Sequence, residues 1–227
     1  AHEAICAWAR EVMLEGIEAA RADGWDVVHG IVDSLWITDV SGRSNDERAV
    51  AAQRLADRLG ATTGIPLEVE GRYPVLAILP RRSDGAGALT KYWGCGLDGV
   101  KVRGIEARQH STSPFVKRFQ KETLEALRHH VLTHGVDVEA LEALLLEAHD
   151  RARTSLMSGR VPLVDLLVAQ RVERGLEERT VNTVLQRAMT RSSRLGWPVA
   201  LGSRLRFVEV EGNEDGVLLA AELDDGS

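Results

Sequence analysis

The apolar residues of positions 4–22 recur near helical spacing, and Asp23-Gly24 ends that pattern. Two short apolar runs follow, at Trp25–His29 and Leu35–Val40. A glycine and an Asp-Ser pair lie between the two runs, which is typical of a strand–turn–strand hairpin. The first forty residues therefore predict a helix followed by a β-hairpin.

The next segment, residues 45–60, has the features of a second helix. Asn45 is the expected N-cap, acidic residues fill the first turn, and Gly60 is expected at the end of the helix. Short apolar runs after this helix predict four strands: Leu67–Glu70, Pro74–Leu79, Ala88–Trp93 and Val100–Ile105. Helix and sheet are therefore mixed in the first hundred residues.

Beyond about residue 112 the pattern changes to long helical stretches. Three helices and a closing β-hairpin are predicted there: Pro114–His130, Val138–Ser158, Glu177–Leu195, and Leu205–Val210 with Val217–Leu223. We therefore expect an α+β fold with a boundary near residues 106–112. An antiparallel sheet with packed helices (residues 1–108) precedes a mainly α-helical part (residues 109–227).

Composition narrows the class of protein. The 227 residues are 44% apolar and 27% charged, which excludes a disordered tail, a coiled coil and a collagen-like rod. No apolar run approaches the roughly 20 residues of a membrane helix, so we expect no membrane partner. Two cysteines are too few for a disulfide framework, which favours the reducing cytoplasm. Because the chain begins at Ala1 within a helical pattern, we expect a piece of a longer protein.

Charge is strongly segregated along the chain, although the net charge is only −6. Residues 101–134 carry seven basic and three acidic side chains, and residues 151–206 carry 11 and four. Residues 135–150 and 207–227 hold five and seven acids, respectively, without any lysine or arginine. The two basic blocks are compatible either with a local phosphate-binding surface or with ordinary solvated helix faces.

The sequence contains few candidate catalytic or metal-binding residues that can be recognised from their spacing alone. Asp33 lies in the turn between two predicted strands, where a carboxylate either binds a metal beside a second acid or accepts backbone hydrogen bonds. His129, His130 and His134 have helical spacing but lack the H-E-x-x-H order of a zinc site, so we predict no zinc there. The sequence also contains no Walker-type phosphate loop and no nucleophile elbow.

Positions 27–37 (VVHGIVDSLWI) resemble the palm hairpin of family B DNA polymerases, whose motif reads Tyr-Gly-Asp-Thr-Asp-Ser between apolar strands. The preceding helix, which carries Trp8, resembles the palm helix that leads into this motif. Further segments resemble motifs of the family in the same order along the chain: PLEVEGRY (66–73), TKYWG (90–94), GIEAR (104–108), SGRVPLVDL (158–166), LGWPV (195–199) and GSRLRFV (202–208). The chain therefore resembles the C-terminal palm and thumb portion of that family.

Two departures from the family pattern concern its chemistry. The first aspartate of the hairpin motif, which binds the two catalytic magnesium ions in active members, is replaced by Ile31. An isoleucine cannot bind a hard cation. In the segment that contacts the primer–template duplex, the paired basic residues are missing, which leaves Lys91 and Tyr92. The chain thus resembles the inactivated archaeal and bacterial paralogues, with Asp33 as a vestigial catalytic residue and no cofactor in this portion.

The resemblance implies a fragment of a DNA replication or repair protein that grips primer–template duplex DNA by its backbone. Its other partners would be the upstream palm, fingers and exonuclease-like regions of the same polypeptide. The implied DNA-contacting residues are Lys91, Tyr92, Arg108, Lys117, Arg118, Lys121, Arg204 and Arg206. Two alternatives stay open: a full-length protein that polymerises DNA slowly with Asp33 and an upstream carboxylate, and a non-catalytic protein-interaction scaffold. The chain on its own is expected to be inactive.

Overall fold

The computed structural model describes residues 2–31, 33–177 and 183–224. The chain divides into two compact units, Ala1–Arg72 and Tyr73–Ser227. The first unit contains α1 (His2–Ala22), β1 (Trp25–Ile31), β2 (Ser34–Asp39) and α2 (Asn45–Thr63). The second unit contains the strands β3 (Val75–Pro80), β4 (Gly87–Cys95), β5 (Val100–Arg103), β6 (Val168–Arg171), β7 (Arg204–Glu209) and β8 (Val217–Leu219). Its helices are α3 (Pro114–His134), α4 (Val138–Met157), α5 (Leu163–Leu166), α6 (Val184–Arg194) and α7 (Ala220–Asp224), with a 3₁₀ turn at Glu106–Arg108.

The first unit is a helix–hairpin–helix arrangement. β1 and β2 pair antiparallel, with Trp25 opposite Asp39 and Ile31 opposite Ser34. Both helices contribute to a small core beneath the hairpin. That core consists of Ala20, Trp25, Leu55 and Leu59. The helix and hairpin predicted for the first forty residues are confirmed.

Arg43 links the end of the hairpin to the end of α1 by hydrogen bonds. Its guanidinium lies 5.0 Å from the centre of a Trp25 ring, and it donates to the Asp39 carboxylate at 2.8 Å and to the Asp23 carbonyl oxygen. The Asp39 side chain, only 1% exposed, also accepts a hydrogen bond from the Ser41 hydroxyl at 2.7 Å. The hydrogen bond from Ser41, together with those from Arg43, lowers the pKa of Asp39 to about 2. Asp39 is therefore charged throughout the neutral range.

The ends of α2 differ from those predicted. Its N-cap is Ser44 rather than Asn45, because the Ser44 hydroxyl accepts from the Glu47 amide at 3.3 Å. The Glu47 carboxylate accepts in return from the Ser44 amide at 2.8 Å, which completes a capping box. Gly60 stays helical, and Gly64 ends the helix in the left-handed conformation, with φ at 71°. The reciprocal pair of hydrogen bonds thus places the N-cap of α2 at Ser44, one residue before the predicted Asn45.

The strand predicted at Leu67–Glu70 is wrong. Residues 66–73 have no regular secondary structure, and no described strand pairs with them. Leu67 and Val69 are 37% and 41% exposed. Without a neighbouring strand, an apolar alternation alone does not supply partners for the backbone N–H and C=O groups.

The second unit begins with an antiparallel sheet in the order β3–β4–β5. The long helices α3 and α4 pack together beside it, as their amphipathic patterns predict. The core of this part consists of Ile105, Leu124, Leu127, Val131 and Leu141, with Trp93 and Val102 at its margin. The predicted strands and helices are confirmed here, and α3 continues to His134, about one turn beyond the predicted end.

A second antiparallel sheet follows, in the order β6–β7–β8. α6 packs on one face of this sheet. The core between them consists of Val172, Leu185, Ala188, Met189, Phe207, Val217 and Leu219. Residues 109–227 therefore contain a three-stranded sheet in addition to the predicted helices, because β6 supplies a third strand to the predicted hairpin.

Three predicted boundaries in this part need correction. The strand predicted at Val217–Leu223 ends at Leu219, and the chain continues as α7. The helix predicted from Glu177 begins at Val184, where the Thr183 hydroxyl accepts from the Gln186 amide at 3.2 Å. Part of that predicted helix, residues 178–182, lies outside the described residues. β6 and α5 are additional to the predicted elements.

The α+β fold class predicted from the sequence is confirmed, since helices pack beside antiparallel sheets in both units. Residues 73–108 lie in the second unit. The division into palm and thumb parts at residues 108 and 109 stays a prediction. Within the described ranges, no helix has both the length and the apolar content needed to cross a membrane.

Candidate functional site

Asp33 lies on the surface in the turn between β1 and β2. Its amide donates to the Ile31 carbonyl oxygen at 2.6 Å, and the Ser34 hydroxyl donates to the same oxygen at 3.3 Å. Among the described residues, no group of three or more His, Cys, Asp or Glu side chains is placed to hold a metal ion. The donors at this turn therefore do not fit the two magnesium ions that the resemblance implies for active polymerases.

Lys91 and Arg108 lie near the 3₁₀ turn of the second unit. Lys91 is exposed on β4, and the Arg108 guanidinium donates to the Val102 carbonyl oxygen at 3.2 Å. The Gln120 side-chain amide ties this turn to α3 by donating to the Glu106 carboxylate at 2.9 Å. The hydrogen bond from Gln120 lowers the pKa of Glu106, and the Lys91 charge contributes a smaller part. Some of the Lys91 charge is therefore balanced within the chain.

Gly104 sets the bend between β5 and the 3₁₀ turn. Its φ is +66°, and a Cβ atom at this position would lie 2.0 Å from the Thr90 carbonyl oxygen and 3.1 Å from the Lys91 side chain. Only glycine combines this backbone conformation with so close an approach of two backbones. The bend brings the strand with Lys91 and the turn with Arg108 to the same part of the second unit.

The three predicted basic residues of α3 have two different environments. Lys117 and Lys121 are one helical turn apart and therefore share a face of α3. In the described part of the chain, neither lysine forms an ion pair. Arg118 instead donates to the Asp165 carboxylate at 2.8 Å, which ties α3 to α5. The two lysines are available to an anion, whereas Arg118 already has a partner.

Tyr92 has a core position on β4. It lies opposite Ile78 of β3 and Arg103 of β5 and is 1% exposed. Tyr92 therefore offers almost no exposed surface for the duplex contact that the resemblance predicts.

Arginines form a row on one face of the second sheet. Arg171 of β6 lies directly opposite Arg204 of β7, and Arg206 follows two residues along the same strand. Because alternate residues of a strand point to the same side, all three side chains share the face opposite Phe207. No carboxylate among the described residues forms an ion pair with any of the three. We call Arg171, Arg204 and Arg206 the sheet arginines.

The arginines of α6, Arg187, Arg191 and Arg194, are bound to acids from the end of the chain. Arg191 donates to the Glu222 carboxylate at 2.7 Å and to the Asp215 carboxylate at 3.1 Å. Its hydrogen bonds to Glu222 and Asp215 raise the pKa of Arg191 further above its usual range. The neighbouring contacts join Arg194 to Glu214 at 2.6 Å and to Asp215, and Arg187 to Glu209 at 3.1 Å. The positive charge of α6 is thus largely neutralised within the second unit.

A backbone hydrogen bond connects the second sheet to the start of α3. The Ala169 amide of β6 donates to the Ser111 carbonyl oxygen at 3.2 Å. Ser111 lies between Arg108 and the first turn of α3, in the same segment that leads to Lys117. This bond ties the strand that carries Arg171 to the segment that carries the other unpaired basic residues.

Arg171 is missing from the residues predicted by the resemblance. The available signal is the short segment VAQRV (168–172), in which valines lie on both sides of two polar residues. The strand itself has only four residues, too few to separate a strand from a turn by pattern alone. The role of Arg171 follows only from its register opposite Arg204.

Comparison with known proteins gives matches to DNA polymerases. No protein-family model matches the chain. A DNA polymerase of Archaeoglobus fulgidus is 26% identical over 126 residues, which cover 55% of this chain and 14% of that polymerase. The structure of the family B DNA polymerase from the hyperthermophilic archaeon Pyrobaculum calidifontis matches 99% of the chain with a TM-score of 0.64 and 21% sequence identity. The chain spans 26% of that solved polymerase. The described fold is therefore that of part of a family B DNA polymerase, and the resemblance predicted from the motifs is confirmed.

Proposed function

We propose that the second unit binds the sugar–phosphate backbone of duplex DNA, as part of a longer polymerase-like protein of DNA replication. The observation that supports this best is the like-charged pair Arg171 and Arg204, with Arg206 beside it and no described carboxylate bound to the three. Two guanidinium groups placed directly opposite each other reduce the stability of a sheet. A polyanion that lies across the strands converts this repulsion into favourable contacts.

The types of residue favour backbone contacts over reading of the base sequence. A guanidinium group donates two parallel hydrogen bonds to one phosphate, and such contacts position a protein without sequence selectivity. Lys91, Arg108, Lys117 and Lys121 add exposed or partly exposed charge beside the 3₁₀ turn and on α3. Arg118 is a weaker candidate because Asp165 already neutralises its charge.

Duplex binding measured by fluorescence anisotropy over a range of salt concentrations tests this proposal. Replacing all three sheet arginines by glutamine weakens binding roughly tenfold or more, and the slope of log K against log salt becomes shallower by about 3. A matched control removes the same number of charges elsewhere, by replacing Arg151, Arg153 and Arg160 with glutamine. A salt slope near zero for the unchanged chain, or an equal loss in both triple variants, would overturn the proposal.

We also infer that this chain does not transfer nucleotides and does not bind magnesium tightly. The Ile31 side chain offers no lone pair at the place of the first aspartate, and the described residues include no group of three or more His, Cys, Asp or Glu side chains that could hold a metal ion. The alternative of a slow polymerase belongs to the longer polypeptide. Primer extension by that polypeptide decides between the two, because activity that disappears on Asp33→Ala would establish the enzyme.

A protein-interaction scaffold is favoured by one feature of α4. This helix exposes large apolar side chains to solvent, among them Val138, Leu146 and Met157. Acidic residues such as Glu139 and Glu142 lie between them, so a basic amphipathic partner would suit the surface. The salt titration separates the two functions, because a scaffold alone has no reason to bind DNA with a steep salt dependence.

We propose further that residues 1–108 correspond to part of a palm and residues 109–227 to a thumb, in a protein that works in the cytoplasm. Upstream palm, fingers and exonuclease-like regions of the same polypeptide would complete it. A role in repair rather than replication is a further possibility that the same fold allows. These assignments should be tested on the longer polypeptide that contains this chain together with its upstream regions.

A further inference from the structure

A groove of about 410 Å³ opens beside the sheet arginines, between the end of α6, the segment that follows it and the start of α7. Trp197 and Pro198 line one part of the groove, and Arg204 and Arg206 line another. Small side chains such as Ala200 and Ala221 leave the space between them open. The groove is therefore lined by a tryptophan, two arginines and several small or apolar residues.

The backbone of Trp197 is held firmly while its ring is free to make contacts. The Trp197 amide donates to the Ser192 carbonyl oxygen at 2.9 Å, and the Ser192 hydroxyl donates to the Trp197 carbonyl oxygen. Ser192 is itself 2% exposed, whereas Trp197 is 40% exposed. Two hydrogen bonds to a buried residue thus fix the backbone that carries a large, only partly covered aromatic side chain, which reduces the backbone entropy lost when a ligand binds.

The charge of the groove is positive. None of the described residues that line it is acidic, although α7 carries Glu222 close by. The Glu222 carboxylate is occupied by Arg191 and by the Leu219 amide. Arg204 and Arg206 therefore line the groove without a competing carboxylate among the described lining residues, and an anionic ligand meets no like charge on entering it.

We propose that this groove binds single-stranded DNA that continues from a duplex lying on the sheet arginines; this rests on the proposed function. An unpaired base offers an open π face that stacks on the Trp197 ring, while its phosphates bind Arg204 and Arg206. Bases within a duplex are already stacked on one another and have no free face for the ring. The groove therefore distinguishes a frayed or overhanging end from a continuous duplex.

Three probes test the groove: a blunt duplex, the same duplex with an unpaired extension of about six nucleotides at either end, and a free oligothymidine of about 12 nucleotides. The unchanged chain binds the extended duplex more tightly than the blunt one. Trp197→Ala removes this gain, about fivefold or more, and leaves binding of the blunt duplex unchanged. Trp197→Phe keeps part of the gain because its ring still stacks. Trp8→Ala, a change of another exposed tryptophan in the first unit, keeps all of it.

The outcomes separate this inference from the function on which it rests. If the blunt duplex binds but an extension adds nothing, or adds the same amount after Trp197→Ala, the single-strand site is wrong and duplex binding stands. If the blunt duplex fails to bind while oligothymidine binds in a Trp197-dependent way, the proposed duplex surface is wrong and the groove stands. If no probe binds, both are overturned.

Discussion

Two sets of arginines in the second unit come from the same basic block of the sequence and have opposite environments. Arg191 and Arg194 of α6 bind carboxylates from the acidic end of the chain. Arg171 and Arg204 instead lie opposite one another across two strands, with no described acidic partner. The arginines of α6 therefore have charges that are neutralised within the fold, whereas the sheet arginines have charges that are available to a ligand.

The difference shows that a basic block is not by itself a binding surface. The seven acids of residues 207–227 look like a separate acidic tail in the sequence, yet Glu214, Asp215 and Glu222 neutralise α6. The sheet arginines differ from those of α6 because Arg171 and Arg204 carry like charges and lie directly opposite each other, with no described carboxylate between them. A fold tolerates such a pair most easily where a bound anion compensates for it.

The largest expected effect comes from breaking the α6 network. Arg191→Met leaves the largely buried Glu222 carboxylate without its arginine partner and removes one of the two arginines that bind Asp215. We expect the free energy of unfolding to fall by about 2 kcal/mol, measured by urea denaturation. Arg194→Met is the matched control and should cost less, because Arg194 is far more exposed. An unchanged urea midpoint for Arg191→Met would show that the network does not stabilise the unit.

A smaller effect is expected from pH. The hydrogen bond from Arg191 lowers the pKa of Glu222 below its ordinary value of 4.5, against an opposing effect of burial. A carboxyl whose folded pKa is lowered contributes stability above that ordinary value and loses it as the pH falls toward the folded pKa. Urea midpoints measured from pH 7 to pH 3 should therefore fall more steeply below about pH 4.5 in the unchanged chain than in Glu222→Gln.

Asp39 of the first unit, with a pKa of about 2, is present in both proteins and cancels in this pH comparison. Parallel pH profiles for the two chains would mean that the charge of Glu222 does not contribute to folding stability.

The smallest expected effect has the opposite sign. Arg171→Gln removes the like charge opposite Arg204, so the unfolding free energy should rise by about 0.5 kcal/mol at low salt. The gain should disappear in about 1 M salt, where ions screen the pair. A loss of stability at low salt, measured by the same urea method, would show that Arg171 has a structural partner and is not held ready for an anion.

Periodicity predicts the long elements well, because each of them buries one face along many residues. α3 and α4 follow their apolar spacing, and so does the β1–β2 hairpin. Elements that depend on a partner far away in the sequence are harder to predict. The apolar run at Leu67–Glu70 has the alternation of a strand but no described strand beside it, and β6 is too short to be recognised without β7.

The candidate site divides in the same way. Arg204 and Arg206 follow from a motif, but Arg171 follows only from the register of two strands 33 residues apart. The sequence does not show which arginines are neutralised, since Asp215 and Glu222 lie 24 and 31 residues beyond Arg191. Trp197 lies within a matched motif, yet the single-strand site proposed for it rests on its contact with Ser192 and on its exposure, neither of which the sequence shows.

The bend at Gly104 depends on the absence of a Cβ atom at this position. A larger residue there must displace the Thr90 carbonyl, and the chain would then leave β5 in another direction. The 3₁₀ turn and the first turns of α3 follow that bend, and the Gln120 side chain joins the two. A mutation of this one codon would therefore shift Arg108 and the start of the helix that carries Lys117 and Lys121 without altering a single charge.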